Sequence, residues 1–132
     1  MGFMGYAPLG RGILSGQFFK TEDIPEDDYR RTYPRYSGAN MAHNADLLRR
    51  LEAIAKGKGI SLPVLAIAWV LHRGDDIIPI PSSKSRKHLE DNLSALDVSF
   101  TADELAEIET ICPPGAVKGT RYPERQMAAV NI

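Results

Sequence analysis

Leu62-Pro63-Val64-Leu65-Ala66-Ile67-Ala68-Trp69-Val70-Leu71-His72, followed by Gly74-Asp75-Asp76 and Ile77-Ile78-Pro79-Ile80-Pro81, is the stretch that decides the fold. Its first part carries a proline in the first helical turn, where a missing N–H costs little, and is apolar almost all round. A helix without a polar face is expected to be buried on more than one side. The glycine–aspartate turn then leads into β-branched residues that do not alternate with polar ones, the pattern of a parallel strand covered on both faces. Pro79 restricts that strand to a ladder position near its end.

Working outward, Ser61 is placed to cap the helix, and Gly57 and Gly59 end an earlier one. That earlier helix starts from Asn44 and puts Leu47, Leu48, Leu51, Ile54 and Ala55 on one face. Residues 20–40 read as a long surface loop, with acidic residues at 22–28 on a solvated face and Arg30, Arg31 and Arg35 interleaved with Tyr29, Tyr33 and Tyr36. Met1 to Ala7 reads as a short buried strand, ended by Pro8 and the turn residues Gly10, Gly12 and Gly16. On the other side, Ser82-Ser83 leads into a helix with Leu89, Leu93 and Leu96 as its apolar face. Thr101 and Glu104 form a capping box for a last helix with Leu105, Ile108 and Ile111 inward. Pro113-Pro114-Gly115 stops it, and 113–132 reads as an irregular tail. Two buried strands joined through helices predict a parallel α/β sheet, open or closed.

The 132 residues hold 16 Lys+Arg against 17 Asp+Glu, a formal net charge of −1, with 43% apolar residues. That balance argues against disorder and against a nucleic-acid partner, which needs a basic face. The apolar run 62–71 falls far short of the roughly 20 residues that cross a bilayer, so no membrane partner is expected. One cysteine, Cys112, fits a reducing compartment, and no leader pattern opens the sequence; a cytoplasmic location is the expectation. No metal site is expected: His43, His72 and His88 lack a helical ligand spacing. His72 reads as a cap near a helix end and Trp69 as core. No tyrosine shows a partner that would lower its pKa.

Two turns are candidates for chemistry. Lys84-Ser85-Arg86-Lys87-His88 sets cations in the first turn of a helix, where the helix dipole disfavours them. One reading is an anion, naturally a phosphate, docked on the N–H groups with Ser82 and Ser83 as further donors. The other is that the cations project into water at a few tenths of a kcal/mol each. At the first turn, Gly10, Gly12 and Gly16 permit positive φ or a close ligand approach, with Arg11 beside them. A tight turn needs glycines for purely structural reasons as well. Both turns follow parallel strands at their C-terminal ends, where α/β proteins bind phosphate ligands.

The segment Gly2-Phe3-Met4-Gly5-Tyr6-Ala7-Pro8-Leu9-Gly10-Arg11-Gly12-Ile13-Leu14-Ser15-Gly16 resembles the seventh-strand region of aldo-keto reductases. Pro79-Ile80-Pro81-Ser82-Ser83-Lys84 with Glu90-Asp91-Asn92-Leu93-Ser94-Ala95-Leu96 resembles their eighth strand and the helix after it, and Leu65–Leu71 resembles the helix between. The similarity runs from residue 2 to about 111, nearest the auxin-induced-protein and pyridoxal-reductase-like branch, and the Arg121-Tyr122 tail is also similar. The resemblance implies the C-terminal part of a (β/α)8 barrel that reduces aldehydes and ketones with NADPH. It implies that Tyr6 stacks on the nicotinamide ring and that Ala7, Leu9, Gly10 and Arg11 wrap the pyrophosphate, with Ala7 where many members have serine. It implies that Ser82, Ser83 and Lys84 grip the 2′-phosphate with His88 nearby, and that Asp91 and Asn92 face adenine, Asp91 where many members have Glu.

No segment matches the family's catalytic Asp, Tyr, Lys and His, and a full barrel takes about 250 residues. The expectation is therefore an incomplete barrel over 1–132, carrying two strands and a cofactor cradle and inactive alone on a small carbonyl substrate. Self-association or pairing with a missing barrel half would cover unpaired strand edges. The alternatives are a non-enzymatic NADPH-binding or interaction module and a truncated gene product without independent activity.

Overall fold

The structure is a computed structural model that describes residues 1–130; Asn131 and Ile132, the end of the expected tail, lie outside the described residues. Two short strands, β1 (Phe3–Tyr6) and β2 (Ile77–Ile80), pair in parallel with Phe3 opposite Ile77 and Tyr6 opposite Ile80. Between them lie α1 (Gly38–Gly57) and α2 (Leu62–Leu71), so the link is the helical crossover that parallel pairing requires. After β2 come α3 (Arg86–Ser94), α4 (Ala102–Ile111) and a single helical turn, α5 (Glu124–Met127). The family's barrel closes on eight strands; these residues form a two-stranded α/β sector consistent with part of one.

The core lies on the helical side. Met41, Leu48, Leu51 and Ala55 of α1 meet Leu62 and Leu65 of α2 and Ile108 and Ile111 of α4, while Val64, Ile67 and Ala68 meet Ala95 after α3. Thr101 and Glu104 make the expected capping box: the Glu104 backbone N–H donates to Thr101 Oγ1 at 3.2 Å and the Thr101 N–H to the Glu104 carboxylate at 2.8 Å. Lys58 adds an ion pair to the same carboxylate, which this bond holds below the usual range.

Several sequence expectations need correction. Segment 20–40 is not an open loop: three 3₁₀ turns (Thr21–Asp23, Tyr29–Thr32 and Pro34–Tyr36) fold it onto the core, burying Ile24 and Tyr36 completely, and α1 starts at Gly38 rather than Asn44. Its acidic run is only partly a solvated face. Asp23 accepts the backbone N–H groups of Phe19 and Lys20, and Asp28 holds the Arg30 guanidinium. Neither strand is covered on both faces: Met4, Tyr6, Ile78 and Ile80, which share one side of the sheet, are all exposed. Leu89, Leu93 and Leu96 face solvent too, and Trp69 is half-buried at the edge of the core. Ser61 occupies the N-cap position of α2 but bonds no backbone N–H, whereas His72 does cap: its Nδ1 lies 2.8 Å from the Ala68 carbonyl oxygen. The tail, otherwise irregular, contains α5.

Candidate functional site

Parallel pairing brings the segments after β1 and β2 out at the same end of the sheet. Residues Ala7, Leu9, Arg11 and Gly12 from the first and Ser82 and Lys84 from the second line one cleft of about 450 Å³, closed on the third side by Tyr29 and Arg30. A second depression of about 490 Å³ runs on from it over Ser83, Ser85 and Arg86, sharing Pro81 and Lys84.

Local backbone geometry builds the first wall. Ala7 and Arg11 sit at φ +51° and +62°, a region that costs an L-residue about 1–2 kcal/mol, and Gly10, Gly12 and Gly16 are also at positive φ. Glycine at 12 is required twice over. Its φ is +99°, and a Cβ there would stand 2.7 Å from Arg30 Nη1. That guanidinium is not free to retreat, because Asp28 accepts from its Nε at 3.0 Å while its Nη1 donates to the Arg11 carbonyl at 3.3 Å. The fork lowers the Asp28 carboxyl to about 2. Tyr36 ties the turn from below: its hydroxyl donates to the carbonyls of Gly10 and Arg11, and burial pushes the phenol up to about 12.

The second wall is more open. Ser85 caps α3, its hydroxyl accepting the His88 N–H at 3.2 Å, and Ser83 Oγ donates to the Ser85 carbonyl at 2.7 Å. One N–H of that first turn is therefore already satisfied within the chain. Lys84 and Arg86 make no ion pair among the described residues, while Lys87 reaches Asp91 at 2.8 Å. Of the residues singled out in the sequence, Ala7, Leu9, Arg11, Ser82, Ser83 and Lys84 line the two depressions, while Tyr6 and Gly10 line a smaller pocket that shares Ala7 and Arg11 with them. His88, Asp91 and Asn92 lie further along α3, outside both linings.

Other residues at the site have no site role in the sequence reading, although Tyr122 belongs to the tail that resembles the family. The segment after α4 crosses α1 as a strap. Asn44, 2% exposed, donates to the Arg35 and Lys118 carbonyls at 3.0 and 2.9 Å and accepts the Lys118 N–H at 2.8 Å. Gly119 then passes so close that a Cβ would meet Pro34 and Arg35 backbone at 2.7–2.8 Å. The strap delivers Tyr122, whose hydroxyl contacts that of Tyr6 and accepts from Arg11 Nη2 at 2.7 Å. The Arg11 guanidinium also lies over the Tyr122 ring at 4.2 Å. The Tyr6 contact, then Arg11, lowers the Tyr122 phenol, so a tyrosine does have a partner here. Asn44 carried a readable signal, a polar residue in step with Met41, Leu48 and Leu51 on the buried face.

Residues 1–112 match the model of the aldo/keto reductase family. The chain belongs to the aldo-keto reductase family. Among its curated relatives is the Schizosaccharomyces pombe aldo-keto reductase yakc [NADP(+)], 44% identical over 118 residues that make up 89% of this chain and 35% of the relative. The chain thus spans about a third of the length of that aldo-keto reductase.

Proposed function

We propose that this chain supplies the NADP(H)-binding sector of a carbonyl-reducing aldo-keto reductase. The observation that carries the reading is the pair of joined depressions between the two post-strand turns, with Arg11 and Lys84 as cations that no carboxylate among the described residues neutralises. The volumes of the depressions, about 450 and 490 Å³, fall in the range of small-molecule sites, and donor chemistry suits phosphates: planar guanidinium, ammonium, serine hydroxyls and backbone N–H groups. Arg11 with the Ala7–Gly10 backbone would hold the pyrophosphate. Ser82, Ser83 and Lys84 would hold the 2′-phosphate, with His88, Asp91 and Asn92 further along for the adenosine end. The exposed ring of Tyr6 offers a stacking face for the nicotinamide.

NADPH held by these residues would supply the hydride for an aldehyde or ketone carbon. The proton for the carbonyl oxygen would come from residues of the family's barrel that have no counterpart among these 132, and the same barrel would cover the exposed side of the sheet. The name of the yeast relative supports NADP(H) as the cofactor, and the single cysteine supports a cytoplasmic location.

Fluorescence titration of the chain with NADPH and with NADH tests the proposal. Binding is expected to favour NADPH. Lys84→Ala is expected to weaken NADPH about tenfold, the loss of one charge-assisted bond, while leaving NADH unchanged. Equal affinity for both nucleotides in the parent chain would overturn it. With a nitrobenzaldehyde, the 132 residues alone are expected to oxidise no NADPH above background.

A further inference from the structure

Beside the Tyr6–Tyr122 contact, three arginines converge from distant parts of the chain. Arg11 comes from the turn after β1, Arg35 from the last 3₁₀ turn before α1, and Arg121 from the strap. With Tyr6, Tyr33 and Tyr36 they line a pocket of about 50 Å³. No carboxylate answers any of the three among the described residues, although Arg30 and Arg73 each have one. Among the described residues the Arg11 guanidinium donates to phenol hydroxyls, and Arg35 donates its Nε to the Gly119 carbonyl at 3.3 Å. Burial, then the charges of Arg121 and Arg11, make the Arg35 guanidinium easier to deprotonate than usual, the electrostatic mark of gathered like charges.

The gathering is imposed by the fold. Asn44 holds the backbone of both Arg35 and Lys118, so the segments bearing Arg35 and Arg121 are fixed side by side. A buried residue with all its bonds committed to this purpose maintains an arrangement that repulsion alone would open.

We propose that Arg11, Arg35 and Arg121 form a pocket for a single oxyanion, a phosphate or carboxylate group carried by a ligand. Guanidinium forks match the two oxygens of such a group in one plane, and a phenol-lined wall adds donors without competing charge. A water needs about 10–15 Å³ of such space, so the volume admits an anionic head and not a whole nucleotide. The pocket is separate from the cleft between the post-strand turns, sharing only Ala7 and Arg11 with it, and reaches neither Ser82 nor Lys84. Tyr6, Ala7, Gly10 and Arg11 are shared with the cofactor reading, whereas Arg35 and Arg121, which carry the proposal, have no part in it. The anion has two chemical sources: a phosphate of the dinucleotide, or the acid group of a second ligand such as a carbonyl compound.

Titrating the 132-residue chain with inorganic phosphate, while following arginine side-chain Nε–Hε signals by NMR, tests the pocket. Signals of Arg11, Arg35 and Arg121 are expected to move together, and Arg35→Gln and Arg121→Gln are each expected to weaken phosphate at least tenfold. Arg121 is exposed, so its replacement leaves folding intact. Repeating the titration with NADPH present separates the sources. Loss of phosphate binding supports the pocket with the dinucleotide as donor of the anion, and undiminished binding supports it with a second ligand's acid group. Equal phosphate affinity in the parent chain and both variants overturns the proposal.

Discussion

The two sides of this molecule use similar sequence to different ends. On the helical side, the periodic leucines of α1, α2 and α4 find one another, and Leu65 is 2% exposed. On the sheet side, Leu93 of α3 is 54% exposed and Ile78 and Ile80 of β2 stand in solvent, although their patterns ask for burial just as plainly. An apolar stripe states what a segment needs to meet; whether the partner lies within these residues is separate information.

The largest effect expected of that contrast comes from truncating each side in turn. Leu65→Ala should cost about 2–5 kcal/mol in denaturant unfolding, the transfer and cavity cost of a buried leucine. Leu93→Ala should cost under about 0.5 kcal/mol, the range for an exposed position. Comparable losses would mean that the sheet side is covered in solution and would break the contrast.

Next in size is Asn44→Ala. It leaves Lys118 and Arg35 backbone groups unpaired beneath the strap, at about 1–3 kcal/mol. Faster hydrogen exchange at the Lys118 amide, with α2 amides unchanged, would place the loss in the strap.

The smallest is a pH effect confined to the 3₁₀ segment. With the folded Asp28 carboxyl at about 2 against about 3.9 in an unfolded chain, its stabilisation is complete above pH 4 and is lost as pH falls through 2. Asp28→Asn should flatten the stability profile across that window while leaving the rest of the acid unfolding curve in place.

The same contrast explains what could be read in advance. The crossover helices and the parallel sheet follow from periodicity, proline placement and capping residues, all local signals. Burial of Ile24 and Tyr36 was hidden because 3₁₀ turns are too short to impose a period. The strap was hidden because Asn44 and Lys118, 74 residues apart, meet only in three dimensions. The cations around Lys84 stand out in the sequence because positive charge at a helix start breaks a local electrostatic rule, although α3 begins at Arg86, behind the Ser85 cap, and leaves Lys84 ahead of it. Arg35 and Arg121 break no local rule, and their significance lies in meeting Arg11.

The central claim is that the turns after β1 and β2 act as one cradle for a phosphorylated nicotinamide dinucleotide. Backbone amide NMR during an NADPH titration tests it most directly. The account predicts that Gly10 and Gly12 shift together with Ser82, Ser83 and Lys84, saturating at the same concentration. Shifts confined to one turn, or saturating at different concentrations in the two, would contradict it.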